Sequence, residues 1–137
     1  MPPEDNKAVV SRYLLQGLGR LNPDVVDEVF APDHVLSSPE LGTQPETGTQ
    51  ALKDAIEGFR RDTDDLTCTV ENQIAEGDWV ATSYTLSEAD EHKGIMLSRV
   101  VDGRIQESHV VAQTVSEPQA QALVATDKVT TLRRAFN

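Results

Sequence analysis

The sequence predicts an α+β domain: three helices, an antiparallel meander of four strands, then a last helix. Two observations carry this. Apolar residues recur at steps of three and four through the first half and at steps of two through the second. Within the second half, Glu76-Gly77-Asp78 and Asp102-Gly103 stand between apolar-rich runs, where such dipeptides mark tight hairpin turns.

The elements follow in order. Val9, Val10, Tyr13, Leu14, Gly17, Leu18 and Leu21 form one stripe on a helix from Asn6 to Leu21. Asn22-Pro23-Asp24 then supplies a cap, a proline at the first helical position and an acid in the first turn. The second helix carries Val25, Val26, Val29 and Phe30, and Pro32 stops it. Residues 33–48 read as loop with a short strand at His34–Ser38. Thr49 caps a third helix whose inner face is Leu52, Ala55, Ile56 and Phe59, and which ends in the charged run Arg60–Asp65. Leu66, Cys68, Val70 and Ile74 share one parity on a half-buried strand. Trp79–Ser87, Gly94–Val101 and Arg104–Val115 complete the meander. Pro118 opens a final amphipathic helix, about residues 117–135, with Leu123, Val124, Val129 and Leu132 inward.

The chain has 137 residues, enough for one domain spanning 1–137. A protein of this size buries roughly 68% of its unfolded surface. The net charge of −11 disfavours nucleic acid, whose phosphates demand clustered Lys and Arg. No apolar run is long enough for a membrane span. The acidic opening MPPEDNK lacks the apolar core of a secretory signal, so the expected compartment is the cytoplasm. The single cysteine, Cys68, excludes an internal disulfide and reads as a small core residue. The histidines and acids show no metal-ligand spacing, and there is no glycine-rich phosphate loop, so neither metal nor cofactor is expected.

Four phrases in order carry a family resemblance: FAPDHV (30–35), PETGTQALKDAIEGFR (45–60), VENQIAEGDWVATSYTL (70–86) and RVVDGRIQES (99–108). Together they resemble the NTF2-like superfamily, in particular its SnoaL-like polyketide-cyclase branch. The resemblance implies a curved antiparallel sheet wrapped around N-terminal helices to make a cone. A ligand pocket opens at the wide end, and the convex face commonly forms a dimer. Cyclases of this branch carry I-x-E-x-W-x-x-x-D on the last strand, with the Asp as acid/base. In this chain Ile105 and Glu107 match, His109 stands in place of the Trp and Gln113 in place of the Asp. Ser37 stands where a pocket His is usual.

Alternation groups Ile105, Glu107, His109, Val111 and Gln113 on one face of the last strand, the face that looks into the cone if the family register holds. His109 is then the candidate acid/base, since its side chain titrates near neutral pH. Gln113, Ser37 and Tyr84 are candidates to hold a carbonyl or enolate oxygen. Arg99 is a candidate to grip a substrate carboxylate, and Tyr13 to donate to a ligand oxygen. The structural readings stand beside these: His109 fills the Trp volume, Tyr13 is core, and Glu107 pairs with Arg99 or Arg104. Trp79 suits the convex face, and His34 lies near the presumed pocket mouth.

The expected function is a cofactor-independent cyclase, isomerase or dehydratase acting on an apolar, oxygenated small molecule such as a polyketide or other natural-product intermediate. The alternatives are a non-catalytic, dimeric binding module, and an epoxide hydrolase of the limonene type, which wants two carboxylates with an Arg between them. A small-molecule substrate and a second copy of the chain are the expected partners.

Overall fold

The computed structural model describes residues 3–38, 44–63, 65–88 and 90–115. The expected C-terminal helix lies outside them. Helix α1 (Pro3–Arg12) runs directly into a π-helical segment, Tyr13–Leu18, in which the amide of Gly19 bonds the carbonyl of Leu14 at 2.9 Å. The wider π turn turns Tyr13, Leu14, Gly17 and Leu18 inward together. Asn22 Oδ1 accepts from the Asp24 amide at 3.1 Å in the turn before the next helix, whose N-cap position is Pro23 rather than Asn22. That helix, α2 (Asp24–Val29), is shorter than expected, because Phe30 is already extended and opens strand β1 (Phe30–Ser37). Pro32 therefore sits inside a strand, at an exposed position. Strand β2 (Glu46–Thr47) pairs with β1, and α3 (Gln50–Asp62) follows. In α3, Leu52 and Ile56 are buried and Phe59 half-buried as the stripe requires, whereas Ala55 is exposed.

The meander is β3 (Thr67–Glu76), β4 (Trp79–Ser87), β5 (Glu91–Val101) and β6 (Arg104–Val115). The turn at Asp102-Gly103 has both residues at positive φ, +52° and +80°, the geometry that matches the twist of the flanking strands. The described strands form one mixed, curved sheet in the order β2-β1-β6-β5-β4-β3, with only the β1–β6 pair parallel. Its concave face packs on the helices. Val10, Tyr13, Leu14, Val26, Phe30, Ile56, Val80, Tyr84, Met96, Val100 and Ile105 belong to one continuous core. This is the cone that the resemblance implies.

Two β-bulges change the faces expected from simple alternation. On β6, Val100 pairs with Ile105 but Arg99 pairs with Glu107, so Gln106 is the inserted residue. Its side chain is pinned, Nε2 donating to Asp33 Oδ1 at 3.0 Å. Beyond the bulge the parity flips: Ser108 is fully buried, while His109, Val111 and Gln113 are exposed. On β3, Val70 pairs with Tyr84 and Asn72 with Ser83, so Glu71 is inserted. Cys68 and Val70 stay inward, but Ile74, expected beside them, lies on the outer face at 72% exposure.

Candidate functional site

The bulges decide which candidates share a site. His109 is corrected from the concave to the convex face. There its Nε2 lies 3.0 Å from Glu107 Oε2, and its ring sits 6.2 Å from that of Trp79. Gln113 follows it outward. Ser37 is the Cα partner of His109 across the parallel pair and lies on the same outer side. Arg99 faces outward as well, because β5 alternates without interruption and places Gly94, Met96, Ser98 and Val100 inward. Arg99 is the Cα partner of Glu107, so the two lie together on the outer face as the structural reading expects. Among the described residues no carboxylate is buried, so the structure does not bring together the acid–Arg–acid set of a limonene-type hydrolase.

Tyr13 and Tyr84 lie inside the cone, each 5% exposed. Burial raises the Tyr13 pKa, and Tyr84 and Cys68 are near enough to raise it further. Burial also pushes the Cys68 thiol up to about 11, so both groups are neutral at ordinary pH. Tyr84 is seated by Gly94: a Cβ on that glycine would meet the Tyr84 ring at 2.4 Å.

The residue that alternation along the meander could not identify is His34. It is fully buried on β1, with Nε2 2.9 Å from the Oγ of buried Ser108. Its ring meets Phe30 edge-on at 4.7 Å, and Phe30 meets Tyr13 edge-on at 4.8 Å. Ser98, the Cα partner of Ser108 on β5, is fully buried too. A transverse polar row, His34–Ser108–Ser98, thus crosses three strands of the inner wall. Nδ1 of His34 and Oγ of Ser98 have no hydrogen-bond partner among the described residues. Unpaired buried polar atoms are uncommon in native cores and call for a reason.

Burial lowers the His34 pKa from 6.5 to about 4, against smaller opposing effects of the Gly48 backbone and the Glu107 carboxylate. The Gly48 backbone acts without completing a hydrogen bond to Nδ1. The imidazole is therefore neutral at pH 7. This fixes a pH dependence. Below 6.5 the unfolded chain binds a proton that the folded chain refuses, so stability falls as pH drops from about 6.5 towards 4 and then levels off. The full effect is about 3 kcal/mol. Urea titrations between pH 7.5 and 4 should show this slope in the wild type and its reduction in His34→Gln. Equal slopes would contradict a neutral buried His34.

The half-buried residues Leu36 and Val110 lie one strand repeat, about 7 Å, from His34 and Ser108. Among the described residues no group of three or more His, Cys, Asp and Glu is placed to hold a metal ion. No described helix is long and apolar enough to cross a membrane.

The comparisons agree with this architecture. The SnoaL-like domain model matches residues 10–108. A structure from Jannaschia sp. CCS1, described as a candidate SnoaL-like polyketide cyclase, superposes with a TM-score of 0.69 at 19% identity, covering 90% of this chain and 93% of that one. IdmH of Streptomyces antibioticus, a candidate polyketide cyclase, superposes with a TM-score of 0.68 at 18% identity, covering 88% and 99%. An NTF-2 like protein of Burkholderia xenovorans LB400 gives 0.68 at 14% identity, covering 83% and 87%. None of the curated proteins compared matches the sequence. The matched model spans most of the chain and the same cone recurs in the solved structures, so the protein belongs to the SnoaL-like domain family of the NTF2-like fold.

Proposed function

We propose that the protein is an acid/base catalyst of the cyclase, isomerase or dehydratase type. It acts on an apolar, oxygenated small molecule held inside the cone, and His34 takes the acid/base role that the sequence reading gave to His109. The observation that supports this is the buried Nδ1 of His34, without a partner among the described residues, in an interior that also holds Tyr13 and Tyr84. With Nε2–H donating to Ser108 Oγ, Nδ1 carries a lone pair within the interior. It takes the proton α to a ligand carbonyl, leaving an enolate, and Tyr13 or Tyr84 donates a hydrogen bond to the enolate oxygen. The imidazolium returns the proton to carbon or to a departing hydroxyl, which completes isomerisation or dehydration. A base with a pKa near 4 is unprotonated at neutral pH, and the enolate forming beside it offsets the cost of burying its charge. The test is a panel of polycyclic ketones and β-hydroxy ketones scored for both binding and product.

One observation favours a second reading, a binding module without catalysis. The described interior holds no carboxylate, and His34 is wholly enclosed. That reading predicts saturable binding with no product for every member of the panel.

On the same proposal the protein is a homodimer paired through the convex face. Ile74 on β3, Val111 on β6, and Ile95 and Leu97 on β5 are 72%, 60%, 44% and 39% exposed. A chain of charge −11 repels its copies elsewhere, whereas on this face Lys93 lies 4.0 Å from Glu71 and Arg99 registers with Glu107. Leu97→Glu should convert a dimer to a monomer by sedimentation velocity. A monomeric wild type would remove this part of the proposal.

A further inference from the structure

We infer that the interior site selects uncharged ligands: it accepts a ketone, ester or alcohol and rejects the carboxylate of the same skeleton. This rests on the reading that the ligand binds inside the cone. Among the described residues the polar groups of the interior are uncharged: hydroxyls, one imidazole, one thiol and the amides of Asn6 and Gln73. Ser98, Ser108, Thr82 and His34 are buried, Tyr13 and Tyr84 nearly so, and no Lys, Arg, Asp or Glu is buried among the described residues. The charged residues nearest the polar row point away from it. Arg99 follows Ser98 on the outer face, Glu107 precedes Ser108 on the outer side of the bulge, and Asp33 is exposed and bonded to Gln106.

Three buried polar atoms lack a partner among the described residues, Asn6 Oδ1 on α1 and, on the sheet, His34 Nδ1 and Ser98 Oγ; the latter two define what the wall can offer. Ser98 Oγ can donate or accept. His34 Nδ1 accepts where Nε2 carries the proton and donates it to Ser108 Oγ, and donates where Nε2 is unprotonated and accepts from Ser108. A ligand hydroxyl can donate to or accept from either atom, and a ligand carbonyl can accept from Ser98 Oγ, at little cost. A carboxylate loses its water and gains no cation, and burying an ion without a partner is far more costly than burying a hydrogen-bonded neutral group. The imidazole supplies no counter-charge near neutral pH, since burial keeps it unprotonated down to about 4. Arg99, expected to grip a substrate carboxylate, stands on the wrong side of the sheet to do so.

The test uses matched pairs: acetophenone with benzoate, and 2-acetylnaphthalene with 2-naphthoate, titrated at pH 7.5 into the whole chain labelled for NMR. The expected result is that the ketones shift His34 and Ser98 signals and bind at least 100-fold more tightly than their carboxylate partners. Carboxylates that reach the same residues within tenfold of the ketones would overturn the inference. Carboxylate binding whose strength stays constant between pH 6 and pH 8 would also overturn it, because the bound form would then be the anion itself. If neither member of any pair moves His34, Ser98 or Tyr84, the interior is not the ligand site, and the reading beneath the inference fails with it.

Discussion

Replacing His34 with Gln should leave a folded protein whose turnover of any accepted ketone falls about 100-fold or more, with KM little changed. The amide can still bond Ser108 Oγ, so the link between β1 and β6 survives. It cannot exchange a proton near neutral pH, so the acid/base contribution, typically 10²–10⁴-fold, is removed. The control is His109→Gln. That ring lies on the convex face against Glu107 and Trp79, away from the inner wall, and its loss should leave kcat unchanged. The opposite pattern, a silent His34→Gln and a dead His109→Gln, would return the catalytic role to the outer face. Loss of kcat should appear without loss of binding, which separates a chemical role from damage to the core. For a binding module, neither substitution has a turnover to change.

The second large effect is expected at Gly94. Its φ is not in the left-handed region, so alanine costs nothing through the backbone and would by itself rigidify the unfolded chain favourably. The cost comes from Tyr84, whose Cζ and hydroxyl lie 2.4 and 2.5 Å from the Cβ that alanine adds. A rigid aromatic ring in a closed core has little room to yield, and overpacking of this kind costs about 1–3 kcal/mol. Gly94→Ala should therefore lower the urea midpoint and displace the Tyr84 hydroxyl from the interior. In a Tyr84→Val background the same change should cost nothing or stabilise slightly. If the cost persisted in that background, the ring contact would not be its cause.

The helices, hairpins and strand limits follow from local chemistry, and the sequence shows them well. The Asp102-Gly103 turn and the Leu52–Ile56–Phe59 stripe behave as their residue types dictate, whereas neither Asn22 nor Thr49 caps its helix through its side chain. The faces of two strands do not follow. Counting by twos assumes that no residue is inserted. The Gln106 bulge depends on Asp33, a residue 73 positions away, so nothing local to β6 announces it. That one insertion carries His109 and Gln113 from the inner wall to the outer and brings in Ser108 instead. Ile74 moves for the same reason at Glu71. A β1 that begins at His34 assigns that residue to neither face. With Phe30 already in the strand, the shared parity of His34 with the half-buried Leu36 would have marked it as inward.

The central claim is that the functional histidine is His34, neutral and inside the cone. The most direct measurement is the NMR titration of the imidazole signals of His34, His92 and His109, with and without a saturating neutral ketone. The account predicts that His34 stays unprotonated down to about pH 4 and that its signals move when the ketone binds, while those of His109 do not. A His34 that titrates near 6.5 and ignores a ligand that shifts His109 would contradict it.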